Sequence, residues 1–543
     1  MKFSIYFEGD AYSTAKKIMG RQSAGKAFLK GVAKFNPSGV VSAVGSHQAS
    51  AKLLLQQLQD DGFKGKLSWS NLPLQGELVN IGTLYYPAPP AKELAASRNL
   101  FNPAAYSLMG VTHTLSSAGA MDQVANLVLP PFQPWDALIC TSNAAKSFVS
   151  SLQTEMRTYW HETTGATRFT DVQLPVIPLG IDAPAFNRGE GANAQAREEL
   201  AIVEAEVVFL FAGRLSFHAK ANPAPVYQAL EKIARDKKIV CIEAGIFPNE
   251  AIKQGFLSAQ KALAPSVRFI WVDGQDESRY RLAWQASDVF VSLSDNIQET
   301  FGLTPVEAMA AGLPVVVSDW NGYKDTVRDG VDGYRIPTIL PSAGAGAELA
   351  LRHALDLDTY DFYIGRTSLA TVVDPQALAQ ALNRLATDAD LRRSMGQAGQ
   401  ARAVAEFDWP VILEQYSRLA MQLEEIRSHG RLTPAQPWPQ RSDPFHRFAH
   451  FSTHTLTAQS HVQAKPDSKA RLQTLMSLSM ANYAFDARLL PRETLVAMLE
   501  VLQSGNASTV GDVLVKTGVN KGLGTRALMW LWKFDLIHVR VLA

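Results

Sequence analysis

Residues 298–324 read QETFGLTPVEAMAAGLPVVVSDWNGYK. The stretch opens just past one apolar run, DVFVSLS (288–294), and closes through another, LPVVVSD (313–319). Short apolar runs bounded by turn residues read as buried strands, and the segment between these two has the grammar of a helix start. Gly302 falls in the loop. Thr304 suits the N-cap, Pro305 the first helical position and Glu307 the third, where a carboxylate can close a capping box. Strand, loop, helix and strand in that order form a crossover unit, and such units build parallel sheets covered by helices. A helix start of this kind also presents unpaired N–H groups and about half a positive charge, which suits a diphosphate.

The same rhythm runs outward in both directions. VVFLFAG (207–213), KIVCIEAG (238–245) and VRFIWV (267–272) precede the stretch as further strand candidates. In the first half the candidates are KFSIYF (2–7), GVVSAVG (39–45), ELVNIGTLY (77–85), YSLMGVTHT (106–114), DALICTS (136–142) and LPVIPLG (174–180). NRGEGANAQAREEL (187–200), polar and rich in Gly and Ala, reads as a linker entering a helix. The expected fold is therefore α/β: two doubly wound parallel-sheet, Rossmann-like domains, 1–188 and 189–427, with a cleft between them. Ligands of such sheets bind at the carboxyl ends of the strands. From Pro375 to Arg427 apolar positions follow helix spacing, and the proline-rich stretch within 428–469 reads as a linker. Residues 470–543 read as a small appendage of helix, helix, then helix running into a strand.

Bulk properties narrow the class. The 543 residues are 47% hydrophobic and 19% charged with formal net charge +1, so charge gives no pull toward nucleic acid or anionic lipid. The two cysteines, Cys140 and Cys241, sit inside apolar runs and read as buried small residues, which fits a reducing, cytoplasmic setting. Glu8 and Asp10 interrupt the first apolar stretch where a signal peptide would not be interrupted. No run of about 18 apolar residues occurs, so any membrane association is expected to be peripheral.

On helix grammar alone, Glu307 is a cap and Glu299 a solvated loop carboxylate. The whole string, however, closely resembles the signature of retaining glycosyltransferases of family four, whose fold is GT-B. In that family two glutamates flank seven residues, and here they are Glu299 and Glu307. The resemblance implies that Glu299 bonds donor-sugar hydroxyls and that Glu307 accepts from the nucleotide ribose. Backbone N–H groups from Phe301 through Gly302 and Leu303 to Thr304 would hold sugar and phosphate oxygens. A carboxylate suits the ribose because it is acceptor-only and takes two hydroxyl donors.

GRLSFHAK (213–220) resembles the family's phosphate clamp after its strand. Gly213 would border the donor, and Arg214 and Lys220 would neutralise the leaving diphosphate, with His218 nearby; alone, such loop cations read as surface charges. His113 ends a strand in a run that looks like the family's donor-contacting histidine strand, although a strand-end histidine is ordinarily structural. GRQSAGK (20–26) is one hydroxyl short of a P-loop, since Ala27 stands where Ser or Thr would hold magnesium. The family carries a glycine-bearing loop here, and Gly25 is its candidate.

The resemblance implies metal-independent, retaining transfer of a sugar from a nucleoside-diphosphate sugar to an unidentified acceptor. The nucleotide sugar is a co-substrate, and no cofactor or metal is expected. Alternatives on the same fold are a sugar-nucleotide epimerase or hydrolase, or a non-catalytic regulator acting through 470–543. That module resembles a winged helix in pattern. It is weighed toward a protein partner or self-association rather than nucleic acid, because Trp530 and Trp532 suit a core better than base reading.

Overall fold

The computed structural model describes residues 1–12, 20–72, 81–189, 191–430, 434–435, 437–483 and 490–540. They form two compact units, 1–437 and 438–543. The first unit holds two parallel six-stranded sheets. One contains β1 (Ser4–Tyr6), β2 (Val40–Gly45), β3 (Lys66–Asn71), β4 (Thr83–Tyr85), β5 (Ser107–Val111) and β6 (Ala137–Ile139), in the order β3-β2-β1-β4-β5-β6. The other contains β7 (Val207–Ala212), β8 (Ile239–Gly245), β9 (Arg268–Asp273), β10 (Val289–Ser292), β11 (Val315–Ser318) and β12 (Gly333–Ile336), in the order β12-β11-β10-β7-β8-β9. Both orders reverse direction once, the doubly wound arrangement expected of a GT-B protein. The switch points lie between β1 and β4 and between β7 and β10.

The central strands form because both their faces are covered. Every residue of β8, β10 and β11 is buried, and Val, Ile and Phe side chains fill the two faces of the second sheet in separate clusters. Of the four edge strands, β6 and β9 read as apolar runs and β3 and β12 carry a weaker signal. β3, KLSWSN, alternates exposed and half-buried residues, and β12, GYRI, is short; neither stands out as an apolar run. LPVIPLG (174–180), expected as a strand, is instead an extended segment touching β6 through isolated bridges, Ala137 to Gln173 and Cys140 to Val176. Pro175 and Pro178 lack the N–H groups a ladder needs.

The helix Trp409–His429 returns to the first sheet. Trp409, Ile412, Leu413, Tyr416 and Leu423 share one core with Phe3, Ile5, Phe28 and Tyr85. Arg427 Nη1 donates to Gly82 O and Ser107 Oγ, each at 2.7 Å. Gly31 and Gly180 make room for the Trp409 ring, which a Cβ at either position would meet at 2.5 Å. Cys140 and Cys241 are free and buried. No helix among the described residues is long and apolar enough to cross a membrane.

The second unit starts within the segment expected to be a linker. β15 (His461–Ala464) pairs antiparallel with β16 (Ile537–Arg540). Helices Arg492–Gln503, Val510–Thr517 and Lys521–Lys533 enclose a core of Leu495, Leu499, Val513, Leu528, Leu531 and Ile537. Trp530 is buried there and donates from Nε1 to Ala481 O at 3.1 Å.

Candidate functional site

The second sheet's switch point brings the predicted residues together. The loop after β7 carries Arg214 and Lys220, and the loop after the neighbouring β10 carries Glu299. Lys220 Nζ pairs directly with Glu299 Oε2, and both side chains are largely buried, at 20% and 15% exposure. Burial alone would raise the Glu299 carboxyl. The Lys220 charge and hydrogen bond, together with the nearby N–H groups of Phe301 and Thr300, outweigh it and hold the carboxyl below its ordinary value. Burial likewise pulls Lys220 down, yet Glu299 carries it above the usual lysine range, with the Arg214 charge opposing. Arg214 Nη2 donates to Ala219 O at 3.0 Å, so the guanidinium also braces its own loop.

The loops are fixed from beneath by buried polar groups. Asn296, 1% exposed, donates from Nδ2 to His218 O at 2.7 Å, accepts from Gln298 N at 2.9 Å and offers its carbonyl to Trp320 Nε1 at 3.0 Å. Asn321 Nδ2 donates to Glu299 O. Asp295 is buried near the Ser368 hydroxyl and the N–H of Asn222, two residues past Lys220, which both favour its ionised form; burial nevertheless pushes its carboxyl up to about 7. Gly213 adopts φ 137°, where a side chain would be strained and would meet Lys220 Cε at 3.8 Å.

The helix after Glu299 spans Leu303–Ala310, and its cap corrects the sequence reading. Gly302, with φ 85°, is the N-cap, and no side chain caps the helix. Thr304 and Pro305 are therefore the second and third helical residues, and Glu307 lies beyond capping range. The helix enters at Gly302 because the Tyr323 ring packs there; a Cβ would meet it at 2.0 Å. The N–H groups of Leu303 and Thr304 have no intrahelical partner, and Thr304 Oγ1 is buried without one. Glu307, free of capping, is half-buried; burial pushes its carboxyl up to about 7, with the nearby Lys220 charge pulling it back in part. The Phe301 ring is core, packed edge-on to Phe407 at 6.2 Å, and its N–H lies near the Glu299 carboxylate.

The first sheet faces this site with its own strand ends. Past β6, Ser142 Oγ donates to Thr300 O at 2.8 Å, and Asn143 N donates to Asp325 Oδ2 at 2.5 Å. Past β5, His113 Nε2 lies 3.0 Å from Pro87 O, and the next residue, Thr114, meets Tyr360 Oη at 3.0 Å. His113 thus stands on the loop that touches the second domain. Gly25 does not lie in a loop. It sits in the helix Gly20–Phe35, where it lets that helix approach the backbone at Ala11; a Cβ would meet Ala11 O at 2.2 Å. The P-loop look-alike belongs to the same helix start, and residues 13–19 before it lie outside the described residues. Asp295, Asn296, Asn321 and Tyr323 were not singled out from sequence. For Asp295 and Asn296 the signal is a run of small polar residues, SDN, just past an apolar strand.

Residues 193–347 match the family of glycosyl transferases group 1. The matched segment contains Arg214, Lys220, Glu299 and Glu307. Over 275 residues the chain is 27% identical to a D-inositol 3-phosphate glycosyltransferase of Nocardia farcinica, covering 49% of this chain and 52% of that protein. Over 246 residues it is 28% identical to an alpha-maltose-1-phosphate synthase of Mycolicibacterium smegmatis, covering 45% and 55%. The chain thus spans about half the length of the curated relatives it matches. A crystal structure of Anabaena Alr3699/HepE in complex with UDP aligns over 78% of this chain and 100% of the other, at 16% identity and TM-score 0.49.

Proposed function

We propose that the chain is a retaining glycosyltransferase that takes a sugar from a nucleoside-diphosphate sugar. The observation that carries this reading is the Lys220–Glu299 pair at the switch point, within charge range of Arg214 and Glu307 and ahead of an uncapped helix start. The Nocardia farcinica relative bears the name of a glycosyltransferase, in keeping with this reading. Lys220, Arg214 and the N–H groups of Leu303 and Thr304 would seat the diphosphate. Glu299 would bond sugar hydroxyls, Glu307 the ribose, and His113 would reach the sugar from the facing domain.

In the reaction the bond from the sugar's anomeric carbon to the phosphate oxygen breaks, and the diphosphate leaves with the electron pair. The acceptor hydroxyl bonds the same carbon from the face being vacated, and its proton passes to the leaving phosphate oxygen. The protein supplies position and fixed positive charge, without a metal ion. We assign the activity to a reducing compartment, where the buried thiols of Cys140 and Cys241 stay free. The second unit would serve a protein partner or self-association.

A screen of UDP-, GDP- and ADP-sugars with purified protein, followed by mass spectrometry, tests the reading. One donor is expected to yield nucleoside diphosphate, with net retention at the anomeric carbon once an acceptor is supplied. Arg214→Ala should lower turnover roughly ten- to a hundred-fold, the worth of one charge-assisted contact of about 1.5–3 kcal/mol. An epimerised donor formed without any acceptor, or no turnover with any donor, would remove the assignment.

A further inference from the structure

Between the paired two-residue strands β13 (Thr338–Ile339) and β14 (Val372–Val373) the chain makes an excursion through helices Ala347–Ala354 and Tyr360–Leu369. The family match ends at residue 347, so the second of these helices lies outside it. That helix nonetheless touches both walls of the candidate site. At its first residue, Tyr360 Oη lies 3.0 Å from Thr114 Oγ1 and 2.8 Å from Ser116 Oγ, and those two hydroxyls lie 3.2 Å apart. Both belong to the loop that carries His113. Midway, Gly365 packs against His218, between Arg214 and Lys220; a Cβ there would meet His218 Cβ at 3.2 Å. Near its end, Ser368 is buried close to the Asp295 carboxyl, whose ionised form it favours.

The start of the helix is fixed as firmly as its body. Thr359 caps it, accepting from Phe362 N at 3.4 Å. Asp358, 5% exposed, takes Arg352 at 3.0 and 3.2 Å and Arg366 at 3.3 Å. His353 stacks on Tyr363 at 4.6 Å and 9°. Tyr360 therefore projects from a braced point, and the five residues to Gly365 form a strut of about 7.5 Å. A phenol is suited to the far end. It donates one hydrogen bond and accepts others, so three hydroxyls can close a ring that a phenylalanine would open.

We propose that Tyr360 is a positioning residue, and that helix Tyr360–Leu369 sets the spacing between the His113 loop of one domain and the Lys220 loop of the other. The proposal rests on the glycosyltransferase reading for its catalytic consequence but not for its structural one. With the helix in place, a sugar held beside Glu299 meets the His113 loop at a fixed separation. Without the Tyr360 contact the two loops move independently, and the donor still binds but is held out of line for transfer.

Hydrogen–deuterium exchange on the full-length, ligand-free protein tests the coupling directly. Tyr360→Phe should raise exchange both in 112–117 and in 214–222, although the substituted atom touches only the first. Faster exchange confined to 112–117, or no change, overturns the proposal. Turnover of whichever nucleotide sugar the wild type hydrolyses gives the second readout. Tyr360→Phe should lower kcat about tenfold, the effect of one lost hydrogen bond, with donor KM changed less than about threefold. Phe362→Ser, on the exposed face of the same helix, should leave both constants unchanged. Unchanged kcat in Tyr360→Phe, or a rise in KM alone, also overturns it. If the wild type turns over no donor, the enzyme assignment fails while the exchange result still decides the coupling.

Discussion

Lys220 and Glu299 each compensate for the other's burial, and that mutual dependence separates stability from function at the residue scale. Removing one partner of a buried pair strands the other charge and costs about 3 kcal/mol or more. Lys220→Met alone should therefore lower the melting temperature, and Lys220→Met with Glu299→Gln should recover most of that loss while remaining inactive. A double variant that regains turnover would take the pair out of the mechanism. Glu307 makes a pH prediction. Its carboxyl titrates at about 7 in the free protein, so below that value it carries a proton and loses acceptor capacity for two ribose hydroxyls. Nucleoside diphosphate affinity should fall as pH drops from 8 to 6, more steeply in wild type than in Glu307→Gln, which retains only the ligand's own titration. Equal slopes in calorimetry would count against the ribose contact. Glu243 gives a stability counterpart away from the site. Buried at 3% exposure, with bonds from Tyr227 and from Gln260 at 2.8 Å, it is raised from 4.5 to about 7. The native state then holds a proton that the unfolded chain releases above 4.5. This contribution is complete below 4.5 and is lost as pH climbs to 7, at about 1.4 kcal/mol per pH unit. Thermal melts at pH 5 and pH 8 should show a smaller loss for Glu243→Gln than for wild type.

At the scale of elements, the helix Leu303–Ala310 shows what sequence grammar reaches and where it stops. Its existence and its place after a strand were legible in 298–324. Its first residue was not, because Thr-Pro-Val-Glu spells a cap while the Tyr323 ring, folded back from the following turn, demands glycine at 302. Gly302→Ala should cost about 2 kcal/mol or more through positive φ and overlap with that ring, and should weaken diphosphate binding as the helix start shifts. Wild-type stability in that variant would show that the turn yields more readily than its packing indicates. The central strands were legible because they are buried on both faces. β3 and β12 were not, since KLSWSN and GYRI intersperse polar residues among few apolar ones, whereas the other edge strands, β6 and β9, keep apolar runs. Asp295 and Asn296 escaped notice because a buried Asp or Asn is meaningful only once its neighbours are known, and Asn222, His218 and Ser368 lie far away in sequence.

Across the whole molecule, two sheets of the same strand order set loops against each other, and the helix Trp409–His429 ties the second domain back to the first through a shared core. None of the candidate site residues lies in 438–543, which has a core of its own. A chain ending at Pro437 should therefore bind nucleoside diphosphate within about threefold of the full-length protein, a change under about 0.7 kcal/mol. One ending at residue 408 should not fold, because it exposes the face of the first sheet that Trp409, Tyr416 and Leu423 cover. The tandem α/β plan was readable from the rhythm of apolar runs, whereas the Tyr360 contact across the domains depends on an excursion whose sequence carries no comparable pattern. The central claim is that a nucleoside diphosphate sits on Lys220 and Arg214 at the start of the helix after Glu299. Titration calorimetry with UDP, GDP and ADP, on wild type and on the folded Lys220→Met/Glu299→Gln variant, tests it most directly. One of the three should bind wild type at a single site and bind the variant at least about tenfold more weakly. Equal affinity for both proteins, or no binding of any of the three to wild type at millimolar concentration, would contradict it.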